Sequence, residues 1–170
     1  MRLILPVSRG AGNVEAALTA ASRIWEERGF DSATLIHVGA RDAARRVRSL
    51  VEQHLRVDVS IEDLSSHAIP EVQGERTLPE VLRRIFREKF CGEEGVVVIS
   101  SAGRRLAAST ALASVSAGCR LDVAHVHFYW GPGRGSYTRM CLVGWSRLSL
   151  CTALWGLWAG VGVWPAGSPT

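Results

Sequence analysis

Two short stretches of this chain combine the residue types that hold an anion. Ser8-Arg-Gly-Ala-Gly-Asn13 follows one apolar run, and Ser100-Ser-Ala-Gly-Arg-Arg105 follows another, Val96-Val-Val-Ile99. Gly10, Gly12 and Gly103 let the backbone come close to a ligand, with Ala102 beside the last of them. Ser8, Ser100 and Ser101 add hydroxyls, and Asn13 adds a side-chain amide at the end of the first stretch. Arg9, Arg104 and Arg105 add guanidinium forks, whose planar donors match two oxygens of one phosphate. If each stretch turns a strand into a helix, unpaired N–H groups and the positive end of a helix dipole point into the same space. The chemistry is then the binding of an anion, most plainly phosphate. The plainer alternative for the same residues is a pair of tight turns carrying surface arginines.

The surrounding pattern supplies the elements that would position these turns. Residues 2–7 read as a buried strand. Residues 14–28 follow as a helix, with Ala17, Leu18, Ala21, Ile24 and Trp25 at helical spacing, Asn13 as N-cap and Glu15 in the first turn. Residues 33–38 form the next strand, 41–55 a charged amphipathic helix and 57–61 a third strand. The stretch 63–76 mixes Ser, His, Pro and Gly without period and reads as an irregular connection. Residues 78–90 are predicted helical, 95–100 a continuous apolar strand, 106–117 a helix of small residues and 122–129 a further strand, ended by Gly131-Pro-Gly-Arg-Gly135. Alternating strands and helices imply right-handed crossovers and a doubly wound α/β fold, its mostly parallel sheet covered on both faces. In the commonest order of that fold the first and fourth strands are neighbours and the winding reverses between them. A crevice opens there at their carboxyl ends, between the two turns described above.

Composition sets further bounds. A chain of 170 residues with 47% hydrophobic content is the size of one compact domain with its own core, which excludes a disordered polymer. The net charge of +4 is carried almost wholly by arginine, Lys89 being the only lysine, which favours anionic partners. Cysteines stand at 91, 119, 141 and 151 with no CxxC pair, and because an apolar strand-like run follows Met1 directly, no signal peptide is expected. Reduced thiols and a cytoplasmic location are expected. His125 and His127 share one face of a strand, but no third ligand stands nearby, so no metal and no cofactor is expected. The first turn lacks the full GxGxxG, no acidic residue ends the second strand to hold a ribose, and no GxxxxGK[ST] occurs, which weakens dinucleotide and P-loop readings.

After Asp122 there is no acidic residue, and five of the six tryptophans lie between Trp130 and Trp164. The uncharged 17 residues 148–164, preceded by Arg134, Arg139 and Arg147, fit a short membrane span or a last buried strand and helix. The second is favoured, because short apolar segments are usually core.

A Ser- and Gly-containing turn after the first strand, Ser101-Ala-Gly-Arg-Arg-Leu-Ala-Ala108 after a later one, and His125-Val-His-Phe-Tyr-Trp-Gly-Pro-Gly-Arg-Gly135 beyond them occur in a telling order. In these features residues 1–137 resemble the CRISPR-associated Rossmann-fold sensor domain, CARF, with residues 138–170 as an apolar Gly- and Trp-rich tail. The resemblance implies a two-fold homodimer whose paired loops bind a ring of adenylates made by the type III CRISPR polymerase. A cyclic tetra-adenylate has its own two-fold axis, which can lie on that of the dimer. Some members, the ring nucleases, cut the ring without metal: the ribose 2′-hydroxyl attacks its own phosphodiester and leaves a 2′,3′-cyclic phosphate. By that resemblance Ser8 orients the reacting phosphate and Arg104 or Arg105 stabilises charge. Ligand contacts then fall to Arg9, Gly10, Gly12, Asn13, Ser100, Ser101, Ala102 and Gly103. None of these is a strong general base, so cleavage is expected to be slow. The sequence departs from the family in having Ala102-Gly103 where two glycines are usual, and the added methyl restricts the backbone. The 33 residues after Tyr137 are too few for the DNA-reading winged helix or nuclease domain often fused to the sensor, so no duplex nucleic acid partner is expected. A non-catalytic sensor, membrane-attached or partner-docking through its tail, and an unrelated α/β protein for another phosphorylated metabolite are the rival readings.

Overall fold

The structure, a computed structural model, describes residues 1–67, 78–130 and 136–143, the side chains of 66–67, 127–130 and 136–143 excepted. Along the chain these form β1 (Arg2–Val7), α1 (Ala11–Arg28), β2 (Ser32–His37), α2 (Arg41–Leu55), β3 (Asp58–Asp63), a 3-10 turn (Leu64–His67), α3 (Leu78–Lys89), β4 (Gly95–Val98), α4 (Arg104–Ala117), β5 (Leu121–Trp130) and β6 (Ser136–Val143). The sheet order is β3-β2-β1-β4-β5-β6, with β1 to β5 parallel and β6 antiparallel to β5. This is a doubly wound, Rossmann-like α/β fold. The winding runs outward from β1 to β3, crosses back through α3 and restarts at β4, so β1 and β4 are neighbours at the point of reversal.

The strands bury both faces, as a parallel sheet must. Along β1 the side-chain period of two sends Leu3, Leu5 and Val7 to one face, where α1 and α2 cover them with Val14, Ala17, Ala21, Ile24, Ala44, Val47 and Val51. Ile4 goes to the other face, beneath α3 and α4, with Ile36, Leu82, Ile85, Phe86 and Val97. Helix α3 presents its apolar residues at 78, 81, 82, 85 and 86, the i, i+3, i+4 stripe of a helix with one dry side. Phe86 is fully buried and meets Phe90 edge to face at 5.5 Å between ring centroids. Truncating such a ring to alanine typically costs about 3–5 kcal/mol.

Several boundaries differ from the pattern-based reading, for local reasons. Helix α1 begins at Ala11, not Val14: Gly10, at φ 115°, is its N-cap, and Glu15 falls beyond the first turn. Asn13 is therefore inside the helix, and its amide donates back to the Arg9 carbonyl at 2.6 Å in place of capping. Helix α4 begins two residues before its first buried apolar side chain, Leu106, so Arg104 and Arg105 belong to its first turn. β6 continues to Val143, past the end expected for the α/β unit at Tyr137, because β5 supplies an open edge with which it pairs from Trp130↔Ser136 to Val123↔Val143. Residues 68–77, part of the connection expected to be irregular, the segment 131–135 and the tail 144–170, including the candidate span 148–164, lie outside the described residues. Among the described residues no helix is long and apolar enough to cross a membrane.

The cysteines also depart from expectation. Cys91, just after α3, and Cys119, just after α4, form a disulfide with their Cα atoms 4.6 Å apart. Sequence spacing could not suggest it, because the pair is 28 residues apart and meets only when α3 packs on α4.

Candidate functional site

The two turns singled out by composition meet at the carboxyl ends of β1 and β4. Ser8, the first residue after β1, accepts a hydrogen bond on its hydroxyl oxygen from the Gly103 N–H at 2.8 Å. Gly103 is the N-cap of α4, so this bond fastens the end of β1 to the start of that helix. The intervening residues are fixed on either side. The Ser101 hydroxyl, fully buried, donates to the Pro6 carbonyl at 2.8 Å, and the Ser100 hydroxyl oxygen accepts the Val126 N–H at 3.3 Å. Ser100 and Ser101 thus stitch the turn to β5 and β1, leaving Ser8 as the serine of the three that stands at a helix N-terminus. Ala102 is half-buried and its methyl packs against the core beneath α3 and α4. That packing gives the methyl a function that a glycine could not perform.

Both helices that start here lack a side-chain cap and an acidic residue in the first turn. Their leading N–H groups carry the partial positive charge of the helix terminus, which an anion would neutralise. Arg104 and Arg105 add full positive charge at the same end of α4, both exposed and without an ion pair among the described residues. Cations at a helix N-terminus are unfavourable by about 0.3–1 kcal/mol each. Two arginines at that position, with neither a carboxylate nor a cap to offset them, form an electropositive mouth beside the Ser8 hydroxyl.

Arg9 is tied to a neighbouring turn at the same end of the sheet. Its Nε donates to the Gly39 carbonyl at 2.9 Å, which ties the β1–α1 turn to the turn after β2. Gly10 and Gly12, grouped together on composition, have different tasks. Gly10 holds the positive φ that turns the chain into α1, whereas Gly12 lies in the helix with open space where a Cβ would stand.

A second polar cluster at this end of the sheet was not anticipated. His37 ends β2, is fully buried and faces Asp63, its register partner at the end of β3, with Nδ1 3.6 Å from Asp63 Oδ1. The same Nδ1 accepts the Ala40 N–H at 3.3 Å, and Nε2 is buried without a hydrogen-bond partner among the described residues. Asp63 is held by the backbone N–H and hydroxyl of Ser65 and by Arg41 at 3.3 Å. Burial keeps the imidazole below its ordinary pKa of 6.5, against the opposing pull of Asp63. Hydrogen bonds from Ser65 hold Asp63 below the ordinary carboxylate value of 3.8. A polar residue closing an apolar strand, Ala33-Thr-Leu-Ile-His37, was the available signal.

His125 lies in β5, with Cys141 as its register partner, and among the described residues no group of three or more His, Cys, Asp or Glu side chains is gathered as metal ligands. The fold and the paired turns define a class, a doubly wound α/β domain with an electropositive mouth at its switch point. No protein-family model matches the chain, and no curated protein does either.

Proposed function

We propose that this chain is a CARF-like protein that binds cyclic oligoadenylate, first of all cyclic tetra-adenylate, across a homodimer and cleaves it without metal, ending a type III CRISPR signal in the cytoplasm. The observation that carries the reading is the bond between Ser8 and Gly103, which brings the Ser8 hydroxyl, whose proton has no acceptor among the described residues, the uncapped N-terminus of α4 and Arg104 and Arg105 to one place. A phosphodiester seated there would take N–H groups from α4, the Ser8 O–H and one guanidinium fork. Cleavage then needs little more from the protein than alignment. The ribose 2′-oxygen forms a bond to phosphorus as the bond to the 5′-oxygen breaks, the 2′-proton leaves to water and the 5′-oxygen takes one up. Ser8 holds the phosphate in line, and the arginine stabilises the charge that builds on its oxygens. Two such cuts on opposite sides of the ring release two linear di-adenylates with 2′,3′-cyclic phosphate ends.

A second reading, a sensor that holds the ring without cutting it, draws support from the hydrogen bonding of Ser8. Among the described residues no imidazole or carboxylate bonds to its hydroxyl, so the site has no evident base. Incubating the chain with cyclic tetra-adenylate in EDTA and separating the products by chromatography distinguishes the readings. Di-adenylate with a cyclic phosphate end supports the nuclease, and an unchanged but bound ring supports the sensor. Absence of binding overturns both and leaves an α/β domain for another phosphorylated compound.

A further inference from the structure

At the end of α4 remote from Arg104, two devices fasten this helix to α3. The Arg87 guanidinium donates from Nε to the Ala117 carbonyl at 3.3 Å and from Nη2 to the Ser116 carbonyl at 3.4 Å, satisfying acceptors that a helix C-terminus otherwise leaves to water. The second device is the Cys91–Cys119 disulfide. Its two sulfurs are unequally placed: Cys91 is exposed in the turn after α3, while Cys119 is 7% exposed, with Sγ 3.7 Å from the Phe86 carbonyl.

We propose that Cys91–Cys119 is a reversible thiol–disulfide exchange site that locks α3 to α4. A thiolate of glutathione class reaches the exposed Cys91 sulfur and forms a mixed disulfide there. The Cys91–Cys119 bond breaks, and Cys119 leaves as a thiolate that takes a proton from solvent. A second thiol attacks the mixed disulfide and frees Cys91, so that two thiols become one disulfide and the protein pair gains two electrons and two protons. Cys119 is a tenable buried thiol in the reduced state because the Phe86 carbonyl stands ready to accept its S–H. Arg87 remains bonded to α4 after reduction, so the helix loosens at this end without losing its seat on the core. The lock is independent of any ligand at the other end of α4.

Tryptic peptide mapping of the full chain tests this directly. Cleavage after Lys89, Arg104, Arg105 and Arg120 places Cys91 in 90–104 and Cys119 in 106–120. With free thiols blocked first, these two peptides are expected to run as one linked species in oxidised protein, to separate after glutathione treatment and to relink with glutathione disulfide. Oxidised wild type is expected to melt about 7–14 °C above the reduced form, the range for a loop of this size closed in a chain of this length. Cys91→Ser and Cys119→Ser should each melt with reduced wild type and show no response to thiol. Two blocked thiols in oxidised protein, linkage to Cys141 or Cys151 instead, failure to relink, or a melting temperature indifferent to reductant would each overturn the proposal.

Discussion

Ser8 and Gly103 are 95 residues apart in the chain and 2.8 Å apart in space, the hydroxyl oxygen of one accepting the amide N–H of the other. The contact fastens the end of β1 to the start of α4 at the switch point and uses the Ser8 hydroxyl only as an acceptor. Its loss therefore has a structural and a functional part, which can be measured separately.

Replacing Ser8 by alanine removes the acceptor for the Gly103 N–H. Because Gly103 is exposed, water takes over part of the bond, and the expected loss of stability is about 0.5–1.5 kcal/mol in urea denaturation. If the hydroxyl also aligns a reacting phosphate, the rate of ring cleavage falls more than the affinity for the ring. Equal losses would reduce Ser8 to a contact residue.

Arg104→Ala with Arg105→Ala should separate function from stability in the opposite sense. Removing two cations from the positive end of α4 and replacing them with the best helix former is expected to raise stability by about 0.5–1 kcal/mol. Affinity for cyclic tetra-adenylate should fall by at least about tenfold, and what remains should depend less on salt. Titrations at two ionic strengths beside a urea melt would show both; unchanged affinity would remove the arginines from the site.

The two glycines before α1 should respond with opposite signs. Gly10→Ala forces a side chain into φ 115°, a conformation nearly reserved for glycine, and should cost about 1–3 kcal/mol. Gly12→Ala enters open space inside a helix and should add about 0.5–1 kcal/mol. Thermal melts of the pair check the assignment of α1 to begin at Ala11.

Burial of His37 is expected to give the fold a pH dependence. Its folded pKa lies below the unfolded value of 6.5, so the unfolded chain binds the extra proton first. The stability linked to the neutral imidazole is fully present above that value and is lost as pH falls below it, toward the folded pKa. Asp63, depressed below 3.8, contributes stability that persists to lower pH and is lost as its own carboxylate is protonated. In His37→Asn, whose side-chain oxygen can still accept the Ala40 N–H, urea midpoints measured from pH 7.5 to 5 should vary less than in wild type.

The sequence by itself determined the alternation of strands and helices and the identity of the two glycine- and serine-containing turns. Both follow from local rules: the apolar runs of β1 and β4 set buried strands, and period 3.6 in α3 sets the dry face of a helix. Helix starts were less legible, since Gly10 rather than Asn13 caps α1 and an arginine pair rather than an apolar residue opens α4. Only the tertiary structure decided what each polar group at this end of the sheet bonds to. Ser101 turns inward to Pro6, Arg9 reaches across to Gly39, and His37 meets Asp63 through strand register. The same holds for Cys91 and Cys119, brought together by the packing of α3 on α4. Each of these pairings depends on the direction of a side chain after distant segments have docked, which residue type and spacing along one chain do not encode.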